Sequence, residues 1–529
     1  MADFFQKAER PPVSRPRRLG QILLLFLLVG LAALFVEHWR GERALRAWKE
    51  RMIARGEILD PIKLWPAPST DAATFSNQLA AALGQLPKSL GKFEGRVCGM
   101  AHDESGQVGR GSRQPAPLTS DQDPPSTWQE LNAALKEGEP GLRAIRQLMK
   151  NPPRAMEWEI TKRLDMDRIP NFIGTRRSAQ GLATAAINDL HRGNLADALE
   201  NLEALQGCVR LNSDEPALVN FMMRVAVAGL GSDIGWDALQ ETGWTEPQLL
   251  RLQQACQAND LLPQMPKALA AERLTRLHSM NWLAAHSYQE WVDRYALILK
   301  SFGAKPTEYE GARWVSMWRQ WVFHPAWSYA WRAQEELVYL RYSQDELDIV
   351  RESVRRGAWM YLNTRQTALR DNYARPAAEW RFYQSLPMLD WCSVIIGSNP
   401  VERPACPYPN YSKAWLATAR NLSQHQMMIT SVALQRYQLH HGKLPAGLTA
   451  LIPDYLKDLP HDLVDGQPLR YRLNANGSFT LYSIGEDATD DGGDARPPEA
   501  NSGRRQEGFG AGRDWVWPQS AAPVKQPKT

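Results

Sequence analysis

The sequence predicts a mainly α protein with an N-terminal transmembrane helix, an irregular helical-hairpin array and a small C-terminal α+β domain carrying a β-hairpin. Three observations predict it. Residues 19–36, LGQILLLFLLVGLAALFV, are uncharged and almost wholly apolar. Across residues 127–396 apolar side chains recur at helical spacing, and near the C-terminus two alternating runs flank Asn474-Ala475-Asn476-Gly477.

The 529 residues are 43% hydrophobic and 23% charged, enough for two or three domains with buried cores and too apolar for disorder to be the main state. A net charge of +4, with bases and acids mixed throughout, argues against a nucleic-acid surface. Cys98, Cys208, Cys256, Cys392 and Cys406 are scattered and form no zinc spacing. Most read as small buried hydrophobes. Cys392 and Cys406 are close enough in sequence to pair across a loop if they lie outside the cytosol.

Residues 1–18 read as a polar cytosolic tail ending in the basic run Arg15-Pro16-Arg17-Arg18. The apolar stretch 19–36 is at the short end of a bilayer-spanning helix, about 17–25 residues. A secretory signal shares the basic flank and apolar body. Here, however, the core runs into Val36-Glu37-His38-Trp39, without small residues and with a Trp suited to an interface, which favours an uncleaved anchor. Bases follow the span as densely as they precede it, so orientation rests on the usual outcome for an N-terminal anchor. That outcome is a single-pass protein of the inner (cytoplasmic) membrane, with the bulk of the chain periplasmic or extracytoplasmic. Residues 37–126 read as a stalk and linker, the latter rich in Gly, Ser, Pro and Asp and including His102 and Asp103, which read as solvated surface.

The helical domain spans 127–396. Residues 127–150 read as two short helices broken at Gly138 to Gly141. Two apolar faces, one with Leu182, Ala186 and Leu190 and the next with Leu195, Leu199 and Leu202, flank His191-Arg192-Gly193-Asn194, the pattern of an antiparallel helical hairpin. Its small-residue packing and Gly-Asn turn resemble a tetratricopeptide unit, without a 34-residue period along the chain. Thr245 reads as an N-cap, with Pro247 in the first turn. Ser343 and Glu346 have the spacing of a capping box. Trp314, Trp318 and Trp321 share a helical face that reads as core packing, with an aromatic platform for a glycan or partner helix as the functional alternative. Glu379 and Asp390 read as solvated. The segments 44–66 and 176–229 resemble uncharacterised membrane-anchored helical proteins of bacteria, which implies topology and fold without an activity.

Residues 397–412 are a Pro-dense linker, and 413–494 form the terminal domain, with a disordered tail at 495–529. A long helix ends at Gly442, a loop runs between Pro445 and Pro460, and Asn476-Gly477 is a strong hairpin signal. The order of Tyr437, Gly442, Pro445, Tyr455-Leu456, Leu459-Pro460, Asp462, Asp465-Gly466, Pro468-Leu469, Tyr471 and Tyr482-Ser483-Ile484-Gly485 resembles the soluble domain of the major (G-type) pseudopilin of type II secretion. In that family the loop after the second strand can hold calcium. The resemblance therefore implies Ca²⁺ at Glu486, Asp487, Asp490, Asp491 and Asp494, hard oxygen donors in a Gly-containing turn. The alternative is a solvated acidic turn. His440 and His441 read as solvated residues pointing apart at a helix end, and His461 as separate from them.

No catalytic motif occurs in the chain. The expected function is that of a non-catalytic, membrane-anchored envelope protein acting through protein–protein interaction, contacting the bilayer through 19–36, protein partners elsewhere and no nucleic acid. The alternatives are a component of a type II secretion or pilus-like system, and an unrecognised hydrolase using carboxylates between helices.

Overall fold

Helix α1 (Arg15–Ala54) carries the apolar stretch directly into the stalk as one continuous helix. In the computed structural model, which describes residues 15–93, 107–108, 126–156, 172–287, 289–290, 293, 319–374, 410–496 and 513–517, the protein is mainly helical. Among the described residues α1 is the one helix long and apolar enough to cross a membrane, and its apolar part is not covered by protein. Further along, Leu45, Trp48 and Met52 are buried, a stripe at i, i+3 and i+7 that packs the stalk.

The chain divides into two compact units, residues 1–59 with 274–343, and residues 60–273 with 344–529. In the first, the stalk meets a helical segment containing the π turns Arg319–Phe323 and Trp327–Trp331. His38 stacks on Tyr329 with ring centroids 4.4 Å apart. Glu336, buried, pairs with Lys49 and with Arg332 (3.1 Å), and Arg332 reaches Glu42 at 2.7 Å.

The second unit is a helical array closed by a small sheet. Its first helices are α2 (Pro61–Leu64), α3 (Ala72–Gly84), α4 (Trp128–Lys150), α5 (Phe172–His191), α6 (Leu195–Arg210), α7 (Leu218–Ala238) and α8 (Glu246–Gln257). A two-residue pair of strands, β1 (Gln107–Val108) and β2 (Ser126–Thr127), precedes α4. The expected hairpin is α5 and α6, with Gly193 at φ +70° in the turn. Thr127 caps α4 through Glu130, and Thr245 caps α8 through Gln248.

Residues 127–150 do not form two helices. The span is a single helix with Pro140 inside it, and Gly138 and Gly141 are where α4 approaches the chain around α3. A Cβ on Gly138 would meet Pro87 at 2.9 Å, and one on Gly141 would meet the Ala82 carbonyl oxygen at 2.6 Å. The glycines admit a neighbouring backbone and do not end a helix.

Helix α9 (Met265–Ala285) and helix α10 (Arg332–Arg356) each run through a unit boundary, and α11 (Trp359–Ala374) follows. Ser343 and Glu346 lie in the middle of α10. The Ser343 hydroxyl donates to the Leu340 carbonyl, and Glu346 accepts from the Gln366 amide at 2.9 Å, so the expected capping box is not a helix start. Of the tryptophan stripe, Trp321 is 70% exposed and so not core, while Trp314 and Trp318 lie outside the described residues; Trp327, beyond Pro325, is buried.

Helix α12 (Ser412–His441) ends at Gly442, whose φ of +70° terminates it in the left-handed conformation. The sequence sets 413–494 apart as a domain; α12 packs on α7 and α8 within the same unit. Arg436 of α12 bonds to Glu246 at 2.6 Å and to Gln253 at 2.9 Å. Its face is buried at Met427, Val432 and Leu434, and Leu439 is exposed. The antiparallel sheet runs β3 (Arg470–Leu473), β4 (Phe479–Ser483) and β5 (Trp515–Trp517), with Leu473 opposite Phe479 across the Asn-Gly turn and Ser483 opposite Trp515. β5 comes from the stretch that composition assigns to a disordered tail. All three of its residues are buried, Trp515 completely.

Candidate functional site

The five carboxylates of the acidic turn surround no common point. Glu486 faces Arg420 at 3.6 Å, Asp491 faces Arg513 at 3.8 Å, and Asp487 accepts from the Thr489 amide. Asp490 accepts from the Tyr482 hydroxyl and the Gly492 amide. Asp494 is clasped by Arg496 at 2.8 to 3.1 Å, which holds its carboxyl down to about 2. The turn is shaped instead by Asp514, a buried residue outside the predicted set, which accepts from the amides of Gly493 (2.7 Å), Asp494 (3.2 Å) and Asp491 (3.5 Å). Calcium gathers about six to eight oxygens at one centre. Among the described residues no group of three or more His, Cys, Asp or Glu side chains is arranged to hold a metal ion, so this placement does not fit the ion that the resemblance implies. Accordingly, millimolar Ca²⁺ is expected to leave the melting temperature of the full chain unchanged relative to chelator. A calcium-dependent rise, lost in Asp490→Asn with Asp491→Asn, would restore the metal reading.

His440 and His441 are exposed at the end of α12, as expected, but they do not point apart. His440 and His441 both reach the Tyr455 hydroxyl, at 2.8 and 3.4 Å, and His441 also packs on Tyr437. His461 is apart, bonded to the Gly466 carbonyl. Cys208 and Cys256 are free and buried, and burial pushes both thiols up to about 12, so they pack as hydrophobes. Cys98, Cys392, Cys406, His102, Asp103, Glu379 and Asp390 lie outside the described residues.

The arrangement with the most chemistry is a cleft of ≈ 1010 Å³ between α4, α5 and α6. The first helix contributes Lys136, Glu139, Arg143 and Arg146, and the hairpin contributes Asn188, Asp189, Asp197 and Asn201. These side chains form a chain of contacts. Glu139 pairs with Arg146, Arg146 donates to the Asn201 side-chain oxygen Oδ1 at 3.1 Å, and the Asn201 side-chain amide donates to Asp189 at 2.9 Å. Burial, then the Asp197 charge, raises the Asp189 carboxyl to about 6. Asp189 therefore changes charge near neutrality, in a cleft whose other groups donate and accept hydrogen bonds. Arginine and amide side chains held by their neighbours suit a polar, extended ligand such as a peptide.

Sequence reasoning placed the helices that build this cleft but not the cleft. Glu139 and Arg146 are seven residues apart on one helix face, a spacing readable in sequence, whereas their meeting with Asn201 depends on how α6 packs on α4. No protein-family model, curated protein or solved structure matches the chain.

Proposed function

We propose that this chain is a membrane-anchored envelope protein that binds a partner protein in the α4–α5–α6 cleft and performs no catalysis itself. The cleft carries this reading: its lining is a pre-arranged set of paired charges and amides. The exposed apolar part of α1 supports the anchor, and N-in orientation leaves the folded units outside the cytosol. The helix, left-handed Gly442 stop, loop and Asn-Gly hairpin support a pseudopilin-like arrangement at the C-terminus. By that likeness the partner belongs to an envelope assembly of the secretion or pilus kind.

A second reading follows from Asp189. A carboxyl raised to about 6 beside Asp197 in a cleft has the character of a general acid, as in a hydrolase. The two readings separate in one set of variants. A photo-crosslinker at Gln147, on the cleft lining, is expected to join the full chain to a single partner in cells, and Lys136→Glu with Arg143→Glu is expected to abolish the adduct. Adducts that persist in the charge-reversed variant sink the binding reading. Turnover of a peptide or glycan by the purified chain, lost in Asp189→Asn, would establish the hydrolase instead.

A further inference from the structure

Tyr455 lies in the loop after α12, its side chain buried and its hydroxyl facing two exposed imidazoles. The ring is held firmly. Tyr437 packs on it with centroids 5.6 Å apart, the Arg436 guanidinium stands 5.3 Å from its centroid, and its backbone carbonyl accepts from the Gln253 amide at 2.6 Å. In the last turn of α12 two consecutive residues turn to the hydroxyl oxygen, His440 through Nδ1 at 2.8 Å and His441 through Nε2 at 3.4 Å. Neighbours on a helix project about 100° apart around its axis, so both side chains must bend towards one point to meet there. Exposed imidazoles have water as a partner, and a hydrogen bond to the hydroxyl adds little to that. Tyr437 fixes the His441 ring by packing on it at 4.1 Å.

Two imidazole nitrogens and a phenol oxygen suit a late first-row divalent cation. Donors about 2.0–2.1 Å from one ion stand about 2.9–3.4 Å apart at octahedral or tetrahedral angles. The nitrogen–oxygen distances of 2.8 and 3.4 Å match that spacing. The surroundings favour positive charge. Arg436 bonds to one oxygen of Glu246, and the other oxygen is buried with no hydrogen-bond partner among the described residues, while the C-terminal end of α12 carries the negative pole of the helix. Solvent reaches both imidazoles, which gives an ion a way in and leaves its remaining positions to water. Burial, then Glu246, holds the Tyr455 hydroxyl above its ordinary pKa, with Arg436 opposing, so an ion bound here displaces the hydroxyl proton.

We propose that His440, His441 and Tyr455 form a binding site for a late first-row divalent cation, Cu²⁺ the most tightly held, which clamps the end of α12 to the loop carrying Tyr455. Each imidazole gives the lone pair of the nitrogen that faces the hydroxyl and keeps its proton on the other. The Tyr455 O–H bond breaks, its proton goes to solvent, and the phenolate oxygen takes the ion. None of the three residues lines the α4–α5–α6 cleft, so the site stands whether or not the cleft binds a partner.

The test is titration of the full chain in mild detergent with Cu²⁺ up to one equivalent, read by electron paramagnetic resonance and visible absorption. The expected result is couplings from two imidazole nitrogens together with a phenolate-to-copper charge-transfer band. Tyr455→Phe, which keeps the ring packing, is expected to remove the band. His440→Gln and His441→Gln are each expected to weaken binding by more than the about 10–100-fold that follows loss of an outer-shell partner. His461→Gln, in the residue bonded to the Gly466 carbonyl, is expected to change nothing. Copper that binds without the band, or that keeps its affinity when either imidazole is removed, is held by an ordinary surface chelate and overturns the proposal. Weakening by His461→Gln equal to that by the other two overturns it as well, and so does a parent chain that binds no copper. The parent spectrum decides the case even where a variant misfolds, because both signals are read without one.

Discussion

Asp462→Asn is expected to lower the stability of the second unit by about 2–4 kcal/mol, a loss typical of breaking a buried charged hydrogen-bond set. Asp462 is completely buried. One of its oxygens accepts from the Val464 amide at 2.9 Å and the Ser483 hydroxyl at 2.7 Å. The other accepts from the Ile484 amide at 3.0 Å and from Arg470 at 2.8 Å. An asparagine of the same shape keeps only one oxygen and turns an N–H₂ group toward two of these four donors. Two hydrogen bonds are lost, and Arg470 keeps only Asp465 and the more distant Asp490 as counterions. The check is thermal and denaturant unfolding of the full chain in mild detergent, followed by tryptophan fluorescence, because Trp515 lies in the strand next to Ser483. A change below about 0.5 kcal/mol, the size of an ordinary surface substitution, would show that the carboxylate does not organise the sheet.

What was legible in the sequence was local. Gly442 and Gly193 stop helices because only glycine adopts their left-handed backbone cheaply, and Asn476-Gly477 turns a hairpin through its own preferences. The same residue types misled where their reason was a distant neighbour. Gly138 and Gly141 look like helix breakers, yet each makes room for the chain around α3, a contact invisible along α4. Ser343 and Glu346 have capping-box spacing, but α10 runs through them, and Glu346 bonds to α11. Trp515–Trp517 sits in a Gly- and Arg-rich stretch whose composition reads as tail, and its place in the sheet depends on pairing with β4. The candidate site divides the same way. The acidic turn is conspicuous in sequence, while Asp514, which shapes it, lies twenty residues beyond Asp494. The cleft belongs to three helices at once.

Among the described residues, Glu346 is a carboxylate at which pH should act strongly on stability. Its side chain is buried, its polar contact is the Gln366 amide on α11, and burial pushes its carboxyl up to about 8, with Glu272 adding to the rise and Arg370 opposing it. The sign follows from proton counting. The folded chain holds a proton here that the unfolded chain, with an ordinary carboxyl near 4.5, releases, so this group's contribution favours folding least at high pH. Stability should fall as pH rises from about 5 to about 8 and level off above that. Each unit of separation between 4.5 and about 8 is worth about 1.4 kcal/mol, which makes the expected loss on the order of 4–5 kcal/mol. Glu346→Gln keeps an oxygen for Gln366 and removes the titration. The variant should match the parent near pH 5 and exceed it at pH 9 by on the order of 4–5 kcal/mol, with the difference between the two growing through neutrality. Comparing the pair at each pH cancels other titrating groups, Asp189 included. A difference that stays constant from pH 5 to pH 9 would mean that Glu346 is already ionised in the folded protein, held by Arg370, and that its burial costs the fold nothing that pH can reveal.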